Sequence, residues 1–151
     1  MEVNGSTPGS GHDQLDVTGS VTINGATLST SGSITSSPGQ AIVLINNDGT
    51  DAVTLTSPFV DTMSNALAEG ATVTINSVNF ILSYAGGADA NDVVLYQAGA
   101  ALSFSDDDGA ADNWTVRRVG TNVQILNGST VVDSRPISTV ASITINGENG
   151  K

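Results

Sequence analysis

Between Ile45 and Leu95 the chain reads INNDGTDAV, then LAEGATVTINSVNF, then SYAGGADANDVVL. Short β-branched runs alternate with polar residues, and each is cut off by Asn, Asp or Gly. Runs of this kind suit strands with one buried face, and the clusters between them suit tight turns. That punctuation restricts the chain to an all-β fold.

The pattern extends to both sides. Val17, Val21 and Ile23 alternate with polar residues ahead of Asn24-Gly25. A two-residue type I′ turn there pairs Ile23 with Ala26 and Val21 with Leu28, which puts four apolar side chains on one face. A second hairpin, about Asn76-Ser77, pairs Ile75 with Val78, Val73 with Phe80 and Ala71 with Leu82. It requires Ser77 at positive φ, a conformation that glycine adopts more readily. Ala41 to Ile45 is continuously apolar, as in a strand covered on both faces, and Asn46 to Gly49 end it as a turn. Thr62 to Ala68 is the one candidate short helix, the alternative being a loop that leads through Leu67 into the next strand. The strand VVLYQ follows AGGADAND.

Composition shifts near Gln97 to Ala100, which divides the chain into a β-strand block at 1–99 and a second short-strand β module at 100–151. The second module carries LSFS, WTVRRV, NVQIL, TVVDS and ASITI, with turns at Gly120-Thr121-Asn122, Asn127-Gly128 and Arg135-Pro136. It is expected to be truncated and to continue in a longer parent protein, Met1 being an added start residue.

Charge and composition exclude several functions. Lys+Arg total 4 against 15 Asp+Glu, a net charge of -11, and no Lys or Arg precedes Arg117. Binding nucleic acid or an anionic membrane needs cations that displace counterions, and the chain has few. The balance suits solubility or metal cations. With no Cys, there are no disulfides, thiolate metal sites or Cys nucleophiles. The opening MEVNGSTPGSG has neither the charged nor the apolar region of a signal peptide, and no run is long enough to span a membrane.

The segments NGSTPGSGHDQLDVTGSVTINGATLS, NNDGTDAV, LAEGATVTIN and GGADANDVVL together resemble a block of bacterial autotransporter-type passenger proteins and related giant surface proteins, which carry autotransporter-associated β-strand repeats. The resemblance covers about residues 3 to 97, and the remaining residues are more loosely similar to the segments C-terminal to the block in such proteins. It implies a right-handed parallel β-helix or related solenoid displayed outside the cell, with roles in scaffolding and adhesion. Its partners would then be neighbouring repeats of the same parent chain and a host or cell-surface ligand. A solenoid buries apolar positions of each turn against the next, which the Ser- and Thr-rich strands accommodate. Hairpins are antiparallel features, so the expectation is a solenoid segment bearing β-hairpins, with an antiparallel β-sandwich as the alternative.

Ca²⁺ is the one candidate cofactor. It takes oxygen ligands from Asp, Asn and backbone carbonyls in tight turns. Three loops offer them: Asp48 and Asp51; Asp89, Asn91 and Asp92; and Asp106, Asp107 and Asp108 with Asp112. The second loop is similar to the nonapeptide calcium repeat, but it has an extra residue before Asp92, Ala90 in place of Gly, and no tandem copy. The competing reading is that these side chains cap turns.

No catalytic constellation is present. His12, the one His, lies in a Gly/Ser-rich leader beside Asp13 and is expected at the surface, and no GxSxG, HExxH or GxxxxGK[ST] pattern occurs. Tyr84 is expected in the core or at its rim, and Trp114 beneath its own loop. Arg117 and Arg118 point to opposite faces of a strand. The expected function is a non-catalytic structural segment of a large exported surface or adhesin-like protein. The alternative is a Ca²⁺-stabilised extracellular binding module.

Overall fold

A computed structural model describes residues 1–105 and 113–146. The fold is all-β. Its first half is organised by parallel pairing. Strand β1 (Leu15–Val17) lies parallel to β3 (Ala41–Asn47), and β2 (Thr22–Asn24) parallel to β4 (Thr54–Ser57). Isolated parallel bridges join Glu2 to Ser31 and Thr27 to Val60. The partners Glu2–Ser31, Leu15–Ile45, Thr22–Thr54 and Thr27–Val60 are separated by 29, 30, 32 and 33 residues. The stretch 31–60 thus lies along the stretch 2–27.

The expected hairpin at Asn24-Gly25 does not form. A type I′ turn needs positive φ at both central residues. Here Gly25 has it (φ 66°) but Asn24 is not among the positive-φ residues, so the chain bends without folding back. The Gly25 N–H bonds to the Ser57 carbonyl at 3.0 Å and the Leu28 N–H to the Val60 carbonyl at 2.8 Å. Val21, Ile23 and Leu28 are nevertheless buried together, against the next turn of chain.

The second hairpin forms as expected. Asn76 (φ 49°) and Ser77 (φ 63°) both adopt the left-handed conformation and join β7 (Thr72–Ile75) to β8 (Val78–Gly86), with Val73 opposite Phe80 and Ile75 opposite Val78. The Leu82 N–H extends the ladder to the Ala71 carbonyl. Antiparallel β9 (Asp92–Gln97) follows a 3-10 turn at Ala88–Ala90 and completes a five-stranded sheet in the order β1-β3-β9-β8-β7. Ile42, Leu44, Phe80, Leu82, Val93 and Leu95 form the centre of the core. In β3 the alternation is sharper than the continuous apolar run suggested. Ile42 and Leu44 are fully buried, whereas Ala41, Val43 and Ile45 are half-buried. No helix occupies Thr62–Ala68. The short strands β5 (Phe59–Val60) and β6 (Ala66–Leu67) pair across a turn that Asp61 closes by accepting the N–H groups of Met63 and Asn65.

The last third contains all five expected strands. β10 (Ala100–Ser105) runs parallel to β14 (Val140–Asn146), while β11 (Trp114–Val119), β12 (Asn122–Asn127) and β13 (Thr130–Pro136) form an antiparallel meander. The β12–β13 turn is Gly128-Ser129, one residue later than the sequence suggests, because Asn127 pairs with Thr130. After Pro136 comes a 3-10 turn at Ile137–Thr139. Close backbone approach ties the ends together. The Gly39 N–H bonds to the Gln97 carbonyl and the Gly99 N–H to the Thr139 carbonyl, and a Cβ on Gly39 would lie 2.8 Å from the Ala100 Cα.

Candidate functional site

The acidic loops fold onto one another and form a buried polar node. Asn91, which is 2% exposed, directs its amide to the carbonyls of Asn47 (3.1 Å) and Gly49 (2.8 Å). The Asp92 carboxylate accepts the Asn47 N–H at 2.9 Å, and the Asn47 amide donates to the Asp51 carbonyl at 2.7 Å. A Cβ on Gly87 would sit 2.1 Å from Asp92 Oδ2, so the loop admits only glycine there. Asp89 occupies the 3-10 turn at φ 68°, and Asp48 accepts the Gly19 N–H at 2.7 Å.

The structure therefore brings Asn91 and Asp92 against the Asn47–Asp51 turn, where they bond to its backbone. Asp106, Asp107, Asp108 and Asp112 lie outside the described residues. Among the described residues, no three His, Asp or Glu side chains converge as a metal-binding group. Asn47 Oδ1 is buried with no hydrogen-bond partner.

Burial pushes the Asp92 carboxyl above the usual carboxylate range, the Asn47 N–H opposes this, and the Asp89 charge adds to it. A raised folded-state pKa means that Asp92 contributes most below its unfolded value of 3.8, and that this contribution is lost as pH rises through the folded value. Asp92→Asn keeps the acceptor for Asn47 and cannot ionise. Its thermal midpoint relative to wild type is expected to improve as pH rises above the unfolded value of 3.8 and to level off once Asp92 is ionised in the folded protein. A difference that stays constant with pH would show that ionisation of Asp92 plays no part. On the exposed turns the shift runs the other way. Hydrogen bonds from Asn65 lower Asp61, and those from Gln14 and Asn46 lower Asp16, as befits carboxylates that close turns.

Three features were missed in the sequence. His12 is 4% exposed rather than at the surface, with Nδ1 3.2 Å from the Gly5 carbonyl and Nε2 3.1 Å from that of Val43. A neutral imidazole has one N–H, so both contacts are hydrogen bonds only in the imidazolium. His12 thus pins the glycine-rich leader onto β3.

The second feature is Glu69, whose carboxylate accepts Ser83 Oγ–H (2.7 Å) and the Tyr84 N–H (2.6 Å). Tyr84 Oη accepts the Phe59 N–H and donates to the Leu67 carbonyl, which fastens β5 and β6 to β8.

The third is a polar seam between the five-stranded sheet and the meander. Tyr96 Oη accepts the Gly87 N–H and donates to the Ser134 carbonyl, both at 2.8 Å. The Asn122 amide reaches Ser83 Oγ and the Ala85 carbonyl, and Ser134 Oγ donates to the same carbonyl. Arg135 pairs with Asp133 at 2.8 Å and lies 4.9 Å from the Tyr96 ring centroid. Arg117 instead donates to Gln124. The described groups hold loops and strands in register.

No helix among the described residues is long and apolar enough to cross a membrane. No protein-family model matches the chain, and neither a curated protein nor a solved structure matches it.

Proposed function

We propose that the chain is a non-catalytic structural segment of a large exported surface or adhesin-like protein of the autotransporter-associated type. In this reading its parallel strands are successive turns of a right-handed β-solenoid, and its hairpins are outgrowths from those turns. The observation that carries it is the run of parallel partners Glu2–Ser31, Leu15–Ile45, Thr22–Thr54 and Thr27–Val60, which lays the stretch 31–60 along the stretch 2–27. A sandwich of hairpins has no need of such pairing, whereas stacked turns produce it of necessity. The polar groups support the same reading, since Asp48, Asp61, Asn91 and Asp92 bond to turn backbone.

A double-cysteine variant tests the architecture. Thr22→Cys with Thr54→Cys places both thiols at exposed parallel partners in a chain with no other Cys. Stacked turns give rapid intramolecular oxidation of the folded protein. Thiols that stay reduced would overturn the solenoid reading. Protease treatment of intact source cells tests the location, because a surface segment is cleaved from outside and an internal one survives.

A second reading, the Ca²⁺-stabilised module, rests on the unpartnered Asn47 Oδ1 beside Asp48 and Asp51. It requires the thermal midpoint to rise by several degrees on replacing EDTA with millimolar Ca²⁺. The structural reading expects no change.

A further inference from the structure

Among the described residues the outer edge of β11 has no strand partner. Strand β11 pairs, among the described residues, only with β12, and Thr115 through Val119 are all exposed, Val116 at 47% and Val119 at 49%. The phase of the ladder fixes which backbone groups are free. Asn113 lies opposite Gly128 and accepts its N–H, so the hydrogen-bonded positions in this register are Asn113, Thr115, Arg117 and Val119. Trp114, Val116 and Arg118 therefore turn their N–H and C=O groups outward, without a strand partner among the described residues.

We infer that two copies of the chain associate through antiparallel β11–β11 pairing, with Val116 on the two-fold axis. That register is the one in which the outward groups meet outward groups: Val116 faces Val116, and Trp114 faces Arg118 of the second copy twice over. Arg118 then lies across from Trp114, whose ring packs on Phe104, and Arg117 lies across from Thr115. No arginine faces an arginine, so the charges that usually blunt an edge strand do not block this pairing.

Charge favours the meander as the contact face. Its described residues 114–136 carry Arg117, Arg118 and Arg135 against Asp133 alone, in a chain of net charge -11. Two copies that met through the acidic loops would bring like charges together. One strand pair buries well under the roughly 1,000 Å² of a lasting interface, so the dimer depends on concentration.

Two variants test the pairing. Val116→Cys in this Cys-free chain puts two thiols opposite each other on the axis, within disulfide reach. Val119→Cys leaves its two thiols about 20 Å apart in the same dimer. Mild oxidation is expected to give disulfide-linked dimers from the first at least tenfold faster than from the second. Val116→Pro removes an outward N–H that the monomer does not use. It is expected to keep its thermal midpoint while sedimenting as a monomer at concentrations where wild type dimerises, from about 10 μM to 1 mM. Wild type that stays monomeric across that range, equal cross-linking of the two Cys variants, or dimerisation that survives Val116→Pro would each overturn the inference. The last outcome would point to another edge, such as that of β14.

Discussion

Gly32→Ala is expected to cost more than about 4 kcal/mol, enough to unfold the first turn of chain or the whole protein. Gly32 sits at φ 132°, and a Cβ there would lie 2.0 Å from the Val3 carbonyl oxygen and 2.5 Å from its carbon. The obstruction is backbone, and Val3 is fully buried with its N–H bonded to the Ser31 carbonyl at 2.8 Å, so neither side can yield. Gly19→Ala is the control. Its φ is 103° but nothing lies within 4 Å of the added carbon, so it carries only the backbone strain of about 1–2 kcal/mol. Chemical denaturation of the two variants separates the effects. Equal losses would mean that the leader does not pack against the second turn of chain as closely as Val3 and Gly32 indicate.

The second large effect lies at Tyr96. Tyr96→Phe leaves the Gly87 N–H and the Ser134 carbonyl without their partner in a dry environment, at a cost of about 2–4 kcal/mol. A pH signature accompanies it. Burial pushes the Tyr96 hydroxyl far above its ordinary value of 10.0, and burial likewise raises Tyr84, against the opposing Phe59 N–H. Groups raised in the folded state contribute stability that is complete below the unfolded value and lost as pH rises through the folded one. The chain has two tyrosines, both buried. Phenolate absorbance is therefore expected to stay flat past about pH 10 and then to appear together with the loss of β-structure. Normal titration of one tyrosine in the folded protein would contradict the burial of that ring.

The contrast between the two expected hairpins shows what local sequence can and cannot specify. At Asn76-Ser77 every determinant lies within about ten residues: two residues that take positive φ, flanked by runs whose apolar positions match across the turn. Asn24-Gly25 has the same local look, with Val21, Ile23 and Leu28 on one face. Its partners, however, are Thr54, Leu55 and Ser57, some thirty residues on. Parallel pairing leaves no turn chemistry next to the strand, so nothing in TINGAT distinguishes a hairpin from a bend against a later turn of chain. The same distance hid His12. Its flanks are those of a surface loop, and its burial depends on the Val43 carbonyl. The acidic loops were legible as turns from their Asn, Asp and Gly content. Their mutual packing through Asn91 and Asn47 was not. The seam at Tyr96 was invisible for a similar reason, since Tyr96 bonds to the Ser134 carbonyl and the Gly87 N–H, groups that any residue other than proline has.

The uneven spacing of parallel partners carries a consequence for how such a chain can grow. The parallel partners of the first half are 29 to 33 residues apart, yet Ala100 and Val140, also parallel partners, are 40 apart, and the meander lies between them. A whole three-stranded sheet has been accommodated between two strands that still run side by side. New material inserted at such a corner leaves the pairing beneath it in register. Loops such as the one that carries the meander therefore admit added length without disturbing the pairing, while positions such as Gly32 and Gly39, where an added carbon would meet backbone, stay closed to change.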